Sequence, residues 1–134
     1  MTFDYESNTT VLNSKVSEAP EDWDRLEIFY RNRLTKITRD KLPFTIGRGD
    51  NCDLQVYSDV ASRQHCEVSS LNGQIGVKDS STNGTFVQFG RADEIMVKDD
   101  FSPLTGQGRL SLGKKLESDD PNIILFKVIR QDKP

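Results

Sequence analysis

An all-β fold, closed as a sandwich or a barrel, is what this sequence predicts. From Arg25 onward, short runs of β-branched and aromatic residues recur every eight to twelve positions. Gly, Asn, Asp, Ser and Pro separate these runs, and polarity alternates within some of them, as in Arg109-Leu110-Ser111-Leu112. Successive side chains of a strand point to opposite faces, so this rhythm suits half-buried strands joined by turns.

The first expected strand is 26–31, where Ile28, Phe29 and Tyr30 favour extended backbone. Trp23, Leu26, Tyr30 and Leu34 also fall at the three- and four-residue spacing of a helix, which Pro20 could open. We read strands instead, because Asn32 suits a tight turn between 26–31 and 34–38. Strands 44–46, 54–56, 64–69, 74–78, 85–89 and 95–98 follow as apolar runs between turn residues, and 109–112 as the clearest alternation. The last, 123–129, opens with four apolar residues in succession, which suits a central strand covered on both faces. Ten strands suffice for two packed sheets.

The chain has 134 residues, enough for one domain with a tail. Residues 1–24 carry a net charge of −5 among Ser, Thr and Asn, whereas the remainder carries +2. We expect 1–24 to be a flexible acidic arm or linker, 25–130 the folded domain and 131–134 a C-terminal tail, since the arm has too little apolar surface to offset the entropy of ordering.

Several functional classes are excluded at this level. A net charge of −3 gives no global field toward nucleic acid or an anionic membrane. No run approaches the ~18 apolar residues of a membrane helix and no leader pattern opens the chain, so a cytoplasmic location is expected. Two cysteines and one histidine supply neither a disulfide framework nor a zinc site, and we expect no metal or cofactor. An enzyme is not expected: no Ser/His/Asp set can be assembled, and Cys66 and His65, adjacent on a strand, point to opposite faces. Asp50 and Asp53 read as turn formers rather than calcium ligands.

Three loop motifs remain: Gly47-Arg48, Ser62-Arg63-Gln64-His65 and Ser81-Thr82-Asn83-Gly84-Thr85. Each alone is ordinary turn chemistry. Together they make an anion site without catalytic parts. Arg48 offers a planar guanidinium able to hold two phosphate oxygens, Ser62 a compact hydroxyl, and the Thr82-Asn83-Gly84 turn amide and hydroxyl donors. A phosphorylated side chain, with roughly −1.5 to −2 charges and three acceptor oxygens, suits such a set.

These motifs, with Ile46 before the first and Asp79-Ser80 and Phe86-Val87 flanking the third, resemble the signature of forkhead-associated (FHA) domains in order and spacing. Arg48 and Ser62 lie fourteen positions apart, Ser62 and Asn83 twenty-one. The resemblance covers about residues 26–129. It implies an eleven-stranded β-sandwich of two mostly antiparallel sheets that recognises phosphothreonine in a partner's extended segment. Position by position, it implies that Arg48 and Ser62 contact the phosphate, that Thr82 shapes the pocket and that Asn83 bonds the peptide backbone. Gly47, His65 and Gly84 would be structural, Gly47 permitting the turn that aims Arg48 and His65 pinning the loop of Ser62. Arg63 matches a position that often touches the peptide, and its charge suits a second phosphate or acidic contact; the bland alternative is a solvated side chain.

The family often sits within larger bacterial signalling proteins, so a phosphothreonine protein, a Ser/Thr kinase or its substrate is the implied partner, with neither nucleic acid nor membrane. Two departures touch scaffold positions. Gln88-Phe89-Gly90-Arg91 replaces the usual Asn-Gly turn, which could expose Phe89, and Gly106-Gln107-Gly108-Arg109 stands where Gly-Asp is common. The competing reading is a degenerate scaffold of the same fold that joins proteins without reading phosphate. Thr9 and Thr10 resemble phosphorylatable sites on the arms of small bacterial members, which could occupy the domain's own site.

Overall fold

Two sheets stack face to face, and the alternation of polar and apolar residues decides which side of each strand is inside. The structure, a computed structural model, describes residues 22–131. In chain order the strands are β1 (Trp23–Tyr30), β2 (Arg33–Ile37), β3 (Phe44–Gly47), β4 (Leu54–Gln55), β5 (Cys66–Leu71), β6 (Gln74–Asp79), β7 (Thr85–Phe89), β8 (Ile95–Val97), β9 (Phe101–Pro103), β10 (Gln107–Leu112) and β11 (Ile124–Arg130). One sheet has the order β9-β6-β5-β3-β4, the other β2-β1-β11-β10-β7-β8. Among the described residues only β3 and β4 pair in parallel. Among the described residues both sheets keep free edges, so the architecture is a sandwich and not a barrel.

Leu26, Ile28, Ile46, Val68, Val77, Val87, Leu110 and Ile124 fill the space between the sheets. Each buried aliphatic side chain of this size contributes about 1.5 to 3 kcal/mol. Cys66 joins the core, and burial pushes its thiol up to about 12, leaving it protonated and inert. Both cysteines are free thiols. No helix among the described residues is long and apolar enough to cross a membrane.

The helix-like spacing near the start has a local cause. Ile129 pairs with Arg25 but Arg130 with Trp23, so Asp24 is an extra residue in β1. Such a bulge turns two residues three apart to the same face, and Trp23 and Leu26 are both buried. Leu34, the fourth member of the pattern, lies on the outer surface, 52% exposed. Trp23 is anchored by an Nε1–H bond to the Gly73 carbonyl at 3.0 Å and lies 4.0 Å beneath the Arg39 guanidinium. Residues 23 and 24 therefore stand in the sheet, although the composition placed them in the arm.

Between β1 and β2, Arg31 and Asn32 have φ of 48° and 65°. Both lie in the left-handed region that a two-residue hairpin turn requires to match the twist of its strands.

Two strand expectations change. β9 was not anticipated, because three residues ending in Pro show no alternation. It pairs only with β6, at a sheet edge, where the missing N–H of Pro103 costs no ladder bond. β11 is central but covered on one face only. Ile124, Phe126 and Val128 point inward, while Leu125 is 44% exposed in a row with Phe29 and Leu34. Phe89 is half-buried, edge-on to Phe126 at 5.9 Å between ring centres.

Gly108 marks a close approach: a Cβ there would stand 1.9 Å from the Gln88 carbonyl oxygen and 2.8 Å from the Phe126 ring. Gly108→Ala is expected to lose about 1 to 3 kcal/mol of stability, read as a lower urea midpoint with an unchanged slope.

Candidate functional site

β3 ends at Gly47, and the chain must turn there beneath the segment joining β4 to β5. A Cβ on Gly47 would lie 2.3 Å from the Arg63 carbonyl oxygen and 2.8 Å from the His65 nitrogen. The crowding, not an unusual φ, excludes a side chain, which differs from the turn-forming role expected of this glycine. The close approach lets the Arg48 N–H reach the Ser62 carbonyl at 2.9 Å and the Gly49 N–H reach the Arg63 carbonyl at 2.9 Å.

Arg48 is exposed, yet it is aimed. Its Nε donates to the Ala61 carbonyl at 2.9 Å. No carboxylate pairs with it among the described residues, so both terminal nitrogens remain free to grip a ligand. Ser62 sits beside it. The Ser62 Oγ accepts the Thr82 N–H at 3.0 Å, which leaves its own O–H as a donor. Thr82 and Asn83 are exposed on the β6–β7 loop, and the Asn83 Nδ2 bonds the Val60 carbonyl at 3.3 Å, leaving its Oδ1 open. Four of the expected contact residues thus gather at one end of the sandwich. Arg63 is exposed on the same loop as Ser62, its carbonyl taking the Gly49 N–H and the Cys52 thiol.

Beneath this surface the sole histidine is fully buried. His65 Nδ1 accepts the Ser62 N–H at 2.9 Å, so Nε2 carries the proton and donates to the Gly84 carbonyl at 2.9 Å. Burial holds its pKa below the ordinary value, outweighing the bond to Gly84 and the Asp79 charge, which act upward. Gly84 has φ +91°, and its carbonyl also accepts the Gly113 N–H at 2.9 Å, tying in the β10–β11 loop.

Asp79, which flanks the third motif, is the second hub. Its carboxylate accepts the Ser81 hydroxyl at 2.6 Å, the Thr85 hydroxyl at 2.8 Å, the Asp99 N–H at 2.9 Å and the Ser81 N–H at 3.2 Å. Burial pushes its pKa up, but these four bonds prevail and hold the group below the usual carboxylate range. Ser81 Oγ in turn accepts the Gly84 N–H at 2.7 Å, and Lys98 Nζ bonds the Ser81 carbonyl at 3.0 Å. An Asp followed by Ser-Ser-Thr-Asn is a turn signal that could have marked it. The Val60 and Ala61 carbonyls carry no such signal, being backbone. Thr9 and Thr10 lie outside the described residues.

Residues 44–101 match the family model of the FHA domain. Over that stretch the chain resembles FHA domains. No curated protein matches it by sequence. Among solved structures, it is similar to the first FHA domain of Rv1747 from Mycobacterium tuberculosis, with 19% identity and a TM-score of 0.59 over 81% of this chain and 99% of that one. It is also similar to the N-terminal FHA domain of Rad53p from S. cerevisiae, crystallised with a phosphothreonine peptide, at 18% identity and TM-score 0.59 over 80% and 94% of the two chains. The MEK1 FHA domain, crystallised with a phosphothreonine peptide of HOP1, gives 18% identity and TM-score 0.60 over 78% and 97%. At these identities the likeness establishes the fold.

The imidazole supplies a stability test for this domain. The unfolded state, with an ordinary His pKa near 6.5, binds a proton before the folded state does. Stability is therefore full above pH ~6.5 and declines as pH falls toward the depressed folded value. Urea midpoints are expected to drop between pH 7.5 and 5, and His65→Asn to lose most of that slope, since no other histidine titrates there.

Proposed function

We propose that this domain binds phosphothreonine in an extended segment of a partner protein, so that the two associate only after a kinase has acted. The arrangement of Arg48 carries the reading. Its Nε is spent on a backbone carbonyl, which fixes the plane of the guanidinium beside the free Ser62 hydroxyl, and its two terminal nitrogens face outward without a carboxylate. Two parallel N–H donors and one hydroxyl match a phosphate's oxygens in geometry as well as charge. Asn83 offers Oδ1 to a peptide N–H, Thr82 stands at the pocket's side, and Arg63 serves a second acidic or phosphorylated contact. The phosphothreonine ligands of the Rad53p and MEK1 FHA structures support this reading.

The groups that look catalytic are occupied. Both His65 nitrogens are bonded to backbone and Asp79 accepts four hydrogen bonds, so neither is placed to move a proton on a ligand. We therefore assign an interaction module rather than an enzyme. Phosphothreonine made by Ser/Thr kinases and the two unpaired thiols fit a cytoplasmic setting. The degenerate-scaffold reading is not favoured, because a scaffold has no use for an arginine so arranged.

A phosphothreonine peptide is expected to bind at micromolar strength, about −8 kcal/mol, and its unphosphorylated twin not at all by calorimetry. Arg48→Ala removes about 2 to 3 kcal/mol of that while the circular dichroism spectrum stays unchanged. Unaltered affinity in Arg48→Ala would remove the proposed role. Affinity is also expected to fall as pH drops through the phosphate's second pKa of about 6, as the ligand loses charge.

A further inference from the structure

Beyond Arg48 and Arg63, a further cation at the same end of the sandwich is held in place by its neighbours. Arg31 opens the β1–β2 turn with a left-handed φ of 48°, and its guanidinium lies 5.6 Å from the Tyr30 ring centre and 5.4 Å from that of Tyr57. Its Nη2 donates to Asn122 Oδ1 at 3.0 Å, the same oxygen that takes the Tyr30 hydroxyl at 2.6 Å. Two aromatic faces and one amide thus hold a charge that has no carboxylate partner among the described residues. Nη1 and Nε make no hydrogen bond there. Tyr57 is 60% exposed, so the face of the clamp is open to solvent.

The structure ties this clamp to the first site. Tyr57 Oη lies 3.4 Å from Gln55 Oε1, and the Gln55 Nε2 donates to the Arg48 carbonyl at 3.1 Å. Laid end to end, these contacts put the Arg31 guanidinium no more than roughly 17 Å from that carbonyl, a span an extended peptide covers in about five residues at ~3.3 Å each. Beside Arg31 lies a depression of about 290 Å³, lined also by Phe29, Asn32, Arg109, Ser118, Asp120 and Ile123. The Asp120 carboxylate accepts the Asn122 N–H at 2.9 Å, lies 3.7 Å from Lys114 and forms no ion pair with Arg31.

We infer that Arg31, held against Tyr30 and Tyr57, is a further anion subsite that takes a carboxylate or phosphate side chain within about six positions of the phosphothreonine of the same bound peptide. The inference rests on the phosphothreonine reading above. It makes the ligand class narrower: an acidic or doubly phosphorylated segment rather than any phosphothreonine.

The test is a peptide library fixed at one phosphothreonine and degenerate for six positions on either side, captured by the full chain. Asp, Glu or a second phosphothreonine is expected to be enriched at least threefold over Ser at one or two of these positions. Separate peptides carrying Asp or phosphothreonine at that position tell the two anions apart. In Arg31→Asn, whose new side chain tolerates the left-handed backbone, the acidic-to-neutral ratio falls to one; Arg31→Lys retains part of it. A wild-type protein that captures the library but shows no acidic enrichment at any of these positions overturns the inference, as does enrichment that survives Arg31→Asn. Failure to prefer phosphorylated over unphosphorylated library would overturn the phosphothreonine reading itself, and the subsite with it.

Discussion

His65 has two ring nitrogens and spends both on backbone, one accepting from Ser62 and the other donating to Gly84. The chain on one side leads to the serine of the anion site, and on the other to the turn that presents Thr82 and Asn83. A neutral imidazole with a fixed tautomer can do this; an imidazolium cannot, since its Nδ1 would then carry a proton facing a donor. Sealing the ring from water keeps it neutral, so the hydrophobic packing of the sandwich and the shape of the binding surface are one constraint. Moving the ring would shift both loops together.

Asp79 performs the complementary task within a single loop. Its four accepted bonds gather Ser81, Thr85 and Asp99 around one charge, and Ser81 passes the constraint to the Gly84 N–H. Between them, the two buried polar residues satisfy donors that would otherwise be stranded beneath the loops, where an unpaired group costs about 1 to 3 kcal/mol. The exposed side chains above therefore sit on a prepaid framework. Arg48 loses little freedom on meeting a ligand because the Ala61 carbonyl already holds its Nε.

The six-stranded sheet has a face that the core does not use. Leu34, Phe29 and Leu125 stand side by side across three strands, with Arg109 next in the row, bonded to Gln88 Oε1 at 2.9 Å through Nε. The apolar row begins close to the Arg31 clamp, so the rim of the sandwich and its outer face form one continuous surface at the β1–β2 turn. A charged residue held by aromatic rings at that corner joins two surfaces of different character.

Alternation and turn residues alone determined the all-β class, ten of the eleven strands and the three loop motifs, because strand periodicity and tight-turn chemistry are local. The same local rules could not tell a bulged strand from a helix at Trp23 and Leu26, nor say whether Leu125 was covered, because both depend on which strand lies alongside. Within the site, Arg48, Ser62, Thr82 and Asn83 were legible as residue types suited to phosphate. Their convergence was not. It comes from the Val60, Ala61, Ser62 and Gly84 carbonyls, which have no signature in a sequence, and from two buried side chains whose partners lie up to twenty residues away. Tyr30, Arg31 and Tyr57 likewise meet only once the sheets pack, since backbone polarity and long-range contact, unlike periodicity, belong to the folded chain.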